Sequence, residues 1–249
     1  MILFILEGNK PDKSLYQAMM KICGVDEETV AIVYGCNIDA LYHDLKELGD
    51  GADIVGLLKE KSKNDLSSDI NDLLLRSDQI SEIYLIFDYD FHDVKRSPDV
   101  LNEQLENLLE YFCEETEHGK LYINYPMIEA IKYTKKIPDP EYYSYCVSRQ
   151  ECRSFKQLAS EFSYYPNIDF LTRVGDLELK QNWEQLKIQN VSKANYICNG
   201  DNVYPPLDRE SISQKQILIN QINKFESQPE CRVSVLSSFP LLMYDWLGR

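Results

Sequence analysis

Histidine is scarce in this 249-residue chain, with three in all, and the seven cysteines are odd in number and scattered without a single C-x-x-C pair. A structural zinc site and a disulfide framework are both excluded as organising principles, and the reading left is reduced, mostly buried thiols. No run of about 18 apolar residues occurs, so no segment reads as a membrane span. Met1 to Leu6 lacks a basic leader and runs directly into Glu7-Gly8, which reads as a first strand rather than a signal peptide. The expectation is a cytoplasmic protein with no membrane contact. Also missing is any G-x-x-x-x-G-K-[ST] loop, so the chain has no P-loop ATPase of its own.

Positive charge is in short supply as well. The formal net charge is −15, with 26 Lys+Arg against 41 Asp+Glu. Residues 1–125 carry 11 basic against 26 acidic side chains, whereas residues 126–249 carry 15 of each, so the excess lies entirely in the first half. Broad, non-specific adhesion to nucleic acid is disfavoured, because phosphates attract lysine and arginine. A polyanion would have to be gripped by the second half, by bound metal or by a partner.

What is present is a βαβ rhythm through the first 125 residues. Apolar runs at 2–7, 29–34, 82–87 and 121–124 predict strands, and the spacing between them predicts helices over 13–23, 38–48, 66–76 and 99–116. Leu101, Leu105, Leu108, Leu109 and Phe112, spaced by three and four with acids between, mark a helix face laid on a sheet. Right-handed crossovers make that sheet mainly parallel, so the fold class is α/β. Gly49 to Asn64, rich in Gly, Lys, Asp and Ser, reads as an insertion or loop. Pro138-Asp139-Pro140 breaks helix and strand alike. The domain expectation is therefore a catalytic unit over 1–137 and a mostly helical elaboration over 138–249. The elaboration has helices near 153–163, 180–190 and 211–226, and its apolar end, Val233 to Leu236 and Phe239 to Trp246, returns to the first core.

Two of the strands stop on acids. Tyr84-Leu85-Ile86-Phe87 ends in Asp88-Tyr89-Asp90, and Ile2-Leu3-Phe4-Ile5-Leu6 ends in Glu7-Gly8. In an open α/β sheet the ligand crevice lies beyond the carboxyl ends of the strands, so Glu7, Asp88 and Asp90 converge there if the strands are neighbours. Carboxylates that close repel one another unless a cation sits among them.

A strand ending in Glu-Gly, followed later by one ending in Asp-x-Asp, resembles the TOPRIM fold of topoisomerases, bacterial primases and the overcoming-lysogenization-defect nucleases. The similarity covers about residues 1–135. It implies that Glu7 is a metal ligand or acid/base and that Asp88 and Asp90 hold Mg²⁺, for which Mn²⁺ can substitute. A third stretch, Tyr122-Ile123-Asn124-Tyr125-Pro126-Met127-Ile128-Glu129-Ala130-Ile131-Lys132, is similar to stand-alone TOPRIM proteins of phage-defence type. It implies that Glu129 completes the metal site and that Lys132 stabilises phosphate charge in the transition state. The primase zinc module, the topoisomerase gates and the fused ATPase are all absent. If the chain works in such a system, an ATPase or sensor must be a separate protein.

Each residue also has a plainer reading. For Asp88 and Asp90 that plainer reading is as turn formers or caps. His92 and Asp93 either touch a second ion or are solvated. Asp12 and Ser14 are N-cap candidates for the first helix, and Lys10 and Lys13 beside them are either phosphate contacts or loop lysines. Lys135 and Lys136 form a phosphate rail or a solvated helix end. The aromatic runs Tyr142-Tyr143-Ser144-Tyr145 and Phe162-Ser163-Tyr164-Tyr165 either stack bases near Arg149, Arg153 and Lys156 or pack a core.

The function expected from the resemblance is a Mg²⁺-dependent nuclease acting on DNA or RNA, a partner-regulated effector of antiviral defence and abortive infection, with homo-oligomers open. Asp88-Tyr89-Asp90 is also similar to the Asp-x-Asp of haloacid-dehalogenase-like phosphatases. That motif opens its domain and has Thr or Val two residues on, where this chain has His92. The remaining alternative is a non-catalytic binding subunit that keeps the scaffold and presents an acidic face.

Overall fold

The computed structural model describes residues 1–25, 27–49, 51, 53–62, 73–92 and 97–248. Its centre is built by the apolar runs. β1 (Ile2–Leu6) is buried at every position, as a strand covered on both faces must be. It lies between β2 (Thr29–Val33) and β3 (Glu82–Asp88), both parallel to it, with Ile5 opposite Ile32 on one side and Leu85 on the other. β5 (Gly119–Asn124) continues the sheet in parallel beside β3, placing Asn124 opposite Asp88. The two-residue β4 (Cys113–Glu114) closes the edge antiparallel to β5, giving the order β2-β1-β3-β5-β4.

The chain leaves β1 toward β2, then returns to β3 on the far side of β1. The strand order therefore reverses between β1 and β3, and the crevice of an open sheet lies at that point, beyond their carboxyl ends. α1 (Lys10–Cys23) makes the first crossover, with Pro11 in its opening turn and Gly24 closing it in the left-handed conformation. α2 (Ile38–Leu48), α3 (Ile54–Ser62) and α4 (Pro98–Tyr111) follow; α2 packs on both α3 and α4.

The helix expected over 99–116 stops at Tyr111. The acid-rich stretch after it turns back as β4, and the return depends on Gly119. That residue has φ +115, and a Cβ there would lie 2.8 Å from Leu85 Cδ1. Of the helix expected over 66–76, residues 73–75 are helical and 66–72 lie outside the described residues.

Past residue 138 the chain is mostly helical: α5 (Arg149–Cys152), α6 (Phe155–Phe162), α7 (Asp176–Asn199), α8 (Gln214–Gln221), continued by a π-turn at Ile222–Glu226, and α9 (Ser238–Leu247). A small antiparallel pair joins β6 (Cys146–Ser148) to β7 (Arg232–Ser234). α7 runs to 24 residues where the spacing marks only 180–190, because its buried apolar stripe (Leu179, Trp183, Leu186, Val191, Ala194, Ile197) is interrupted by buried polar side chains (Gln189, Asn190, Lys193, Asn195).

α9 lies on the central sheet. Trp246 stacks on Phe4 with ring centroids 5.6 Å apart and lies 5.2 Å from Tyr84, and Tyr122 donates its hydroxyl to Asp245 at 2.6 Å. One hydrophobic cluster includes residues from Ile2 to Met243. All seven cysteines are free thiols. Among the described residues no helix is long and apolar enough to cross a membrane.

Candidate functional site

The reversal point of the sheet is where the acids gather. Glu7 directly follows β1, and its backbone N–H still bonds to Ile86 O at 3.0 Å, so the strand pairing fixes its position. Its carboxylate turns across to β3 and accepts the backbone N–H of Asp88 at 2.8 Å. Burial, then the nearby charges of Asp90 and Asp12, raise the Glu7 pKa from its ordinary 4.5 to about 8, against the lowering effect of the Asp88 N–H.

Asp88 ends β3. Burial foremost, then Glu7 and Asp12, hold its carboxyl well above the usual carboxylate range, while the Asn124 amide and the Ile128 N–H pull the other way. Asn124 Nδ2 donates to Asp88 Oδ1 at 3.0 Å, as their opposed positions in the β3–β5 ladder allow. Asp90 follows with φ +52, a left-handed conformation that aspartate tolerates better than most residues.

Asp12 belongs to this group too. It is only 4% exposed, and its Oδ1 accepts the Gly8 N–H at 3.4 Å, so it does reach a backbone donor at the start of α1. The N-cap position itself is Asn9, whose side chain makes no capping bond. A Cβ on Gly8 would meet Asp12 Oδ2 at 2.7 Å, so the bare glycine is what admits the carboxylate. Burial chiefly, with a contribution from Glu129, raises the Asp12 pKa to about 6. Glu129, in the 3₁₀ turn Ile128–Lys132, borders the cluster and pairs with Lys156 at 3.8 Å.

Lys132 is engaged elsewhere. The residue is 6% exposed, and its ammonium donates to Ser160 Oγ and to the Pro166 carbonyl, each at 2.8 Å, tying the turn to α6 and the loop after it. Burial lowers its pKa, with Glu129 opposing.

Tyr89, between the two aspartates, is fully buried. Its hydroxyl meets Asn102 Oδ1 at 2.5 Å and the Glu226 carboxylate, whose other oxygen takes the Asn102 amide at 2.8 Å. This contact pins the loop of the Asp88-Tyr89-Asp90 motif from below.

His92 has a buried Nδ1 with no partner among the described residues, and Asp93 lies outside them. Lys135 lies over the Phe162 ring at 3.8 Å. Tyr142 is buried and donates to Asn190 at 2.9 Å, and Tyr145 and Phe162 pack edge to face at 4.9 Å, so these aromatics serve the interior. Tyr164 is exposed.

Two contributors escape the sequence reading in its functional sense. Asp12 carries a signal, an acid one turn into the helix that follows Glu7-Gly8. Asn124 carries a weaker one, a third parallel strand ending in a polar residue. Its Oδ1 accepts the Ser238 N–H at 2.9 Å and the Ser238 hydroxyl at 2.8 Å, joining Asp88 to the start of α9. Nothing near Asn124 in sequence announces that partner.

The donor set is all carboxylate oxygen, the chemistry that hard divalent cations favour, and mutual repulsion among its buried members is what a cation would relieve. Among the described residues, no three Asp, Glu, His or Cys side chains close on a common point as a ready-made cage. No protein-family model matches the sequence, and no curated protein and no solved structure matches it.

Proposed function

We propose that the chain is a Mg²⁺-dependent phosphodiester hydrolase acting on nucleic acid, with Glu7, Asp88 and Asp90 as its metal-binding carboxylates and Asp12 and Glu129 bordering them. The observation that carries this reading is the convergence of Glu7, Asp12 and Asp88, from three separate elements, at the reversal point of the sheet. Each is held by a backbone or amide donor, and each has its ionised form disfavoured first by burial and then by a neighbouring carboxylate, Asp90 and Asp12 for Glu7, Glu129 for Asp12, and Glu7 and Asp12 for Asp88. Groups arranged at such cost are uncommon outside functional sites.

When bound there, Mg²⁺ would neutralise phosphate charge and acidify a water for attack on phosphorus. The chain's own part is positional. Asn124 and the Ile128 N–H orient Asp88, as outer partners of a metal ligand do, and the Asp88 N–H fixes Glu7. Lys132 holds the Glu129 turn through Ser160 and Pro166, and so acts as a positioning residue rather than as a phosphate contact. A separate ATPase or sensor as regulator, and a role in antiviral defence, belong to the same proposal through the family resemblance and the acidic first half.

The absence of a ready cage among the described residues favours one rival, an acidic binding subunit without catalysis. Cleavage of DNA and RNA panels with Mg²⁺ or Mn²⁺, by the wild type and Asp88→Asn, separates the two. Metal-dependent cutting that falls by at least about a hundredfold in the variant is expected. No cutting, combined with no metal-induced rise in melting temperature, makes the protein a binding subunit.

A further inference from the structure

Beside the acid cluster runs a groove of about 540 Å³ with a charge balance unlike that of the whole chain. Four cations line it, Lys10, Lys21, Lys156 and Arg173, against two acids, Glu129 and Asp169. In a protein of net charge −15 such a local excess of positive charge stands out. One wall is a single polar stripe of α1. Lys10, Ser14, Gln17 and Lys21 follow one another at steps of four, three and four, so they share a helix face. From Lys10 to Lys21 the stripe is about 16 Å long at the helical rise per residue. The opposite wall comes from the second half of the chain, through Lys156 on α6 and Arg173 ahead of α7.

The groove has a direction. Its Lys10 end is two residues from Asp12, and Glu129 belongs both to the groove wall and to the border of the acid cluster. Its cations are not committed to buried partners. Lys10 has no ion pair among the described residues. Lys21 pairs with Asp176, Arg173 with Asp169 and Lys156 with Glu129, and all three basic side chains are more than half exposed. The Lys21–Asp176 and Arg173–Asp169 pairs, exposed on both sides, contribute little and leave their cations open to phosphate, whereas Lys156, itself exposed, faces a largely covered Glu129. The lining includes the half-buried Ile168 and Val174, apolar surface suited to sugar and base faces rather than to a small inorganic ion.

We infer that this groove holds the sugar–phosphate backbone of one nucleic-acid strand and leads it to the acid cluster, with Lys10, Lys21, Lys156 and Arg173 as its phosphate contacts. The inference deepens the phosphodiester reading of that cluster and rests on it for the strand's destination, though binding can be measured separately from cutting. It also explains how an acidic protein grips a polyanion: the cations come from both halves of the chain and are concentrated on one path.

The test is fluorescence anisotropy with labelled single-stranded DNA and RNA oligonucleotides in EDTA, where cutting is blocked, across a salt series. The proteins are the wild type, Lys10→Glu/Arg173→Glu, and Lys46→Glu/Lys215→Glu as a charge-matched control, each with its melting temperature recorded. The groove variant is expected to bind at least about tenfold more weakly than the control, and its salt slope to fall by about 0.7 for each phosphate it no longer neutralises. Equal affinity in the groove and control variants overturns the inference, as does a wild type that binds neither oligonucleotide. A parallel cleavage assay with Mg²⁺ keeps the two readings apart. Groove-dependent binding without cutting and without a metal-induced rise in melting temperature defeats the hydrolase proposal alone, whereas cutting with groove-independent binding defeats the groove alone.

Discussion

Glu7 shows how a single side chain links folding to the proposed chemistry. Its folded-state pKa, about 8, lies above the ordinary 4.5, so the folded protein keeps a proton that the unfolded chain gives up. That stabilisation is complete below 4.5 and disappears as pH rises through about 8; Asp12 behaves alike over a lower window, from 3.8 to about 6. In EDTA, thermal stability is therefore expected to fall as pH rises from about 5 to 8, by on the order of 4 kcal/mol for Glu7. Glu7→Gln should flatten that slope. Added Mg²⁺ should raise the melting temperature more at pH 8 than at pH 6, because ligands must shed their protons to bind it. A melting series over pH, with and without metal, checks both, and a slope unchanged in the variant would show that Glu7 does not titrate in this way. Glu7, Asp88 and Asp90 are legible in the sequence because each follows an apolar strand. Lys132 misleads for a physical reason: sequence places it one turn past Glu129 but cannot say that its ammonium is satisfied by Ser160 and Pro166.

Elements with strong apolar contrast are the readable ones. β1, β3 and β5 lie within a residue or two of their apolar runs, and their parallel arrangement follows from the βαβ rhythm. Two helices differ from expectation at their limits, and α3 stands within Gly49 to Asn64, where an insertion or loop is expected. α7 shows only in part because buried polar side chains such as Gln189, Asn190, Lys193 and Asn195 interrupt its apolar period, and the spacing carries α4 on through an acidic stretch that instead forms β4. Gly119 decides the second case, since the β4–β5 return needs both its positive φ and the space beside Leu85. Gly119→Ala is expected to lose about 3 kcal/mol, combining backbone strain with overpacking. Urea unfolding measures it, and a loss below about 1 kcal/mol would mean that the hairpin relaxes without help from the glycine.

At the scale of the whole molecule, the second half covers the first. Phe4, Tyr84 and Tyr122 present an aromatic face of the sheet, and α9 lays Trp246 and Asp245 on it. The proline-rich stretch near 138 is a reasonable place to expect a boundary, but sequence alone does not show that Phe4 and Trp246 share a contact. Trp246→Ala should destabilise the entire fold by about 3 kcal/mol in one cooperative transition. Two separate transitions in calorimetry would instead mark residues 1–137 as a unit able to melt alone.

The hydrogen bond from Ser238 to Asn124 spans 114 positions of sequence. During synthesis, Asp88 and Asn124 leave the ribosome long before the serine that fixes the asparagine. A nascent chain can form the sheet and bring the acids into place, yet it cannot lock their geometry until α9 has emerged and docked. Unfinished chains and premature-stop products therefore lack the Ser238 contact to Asn124 and, on the proposed hydrolase reading, would be delayed in completing the site.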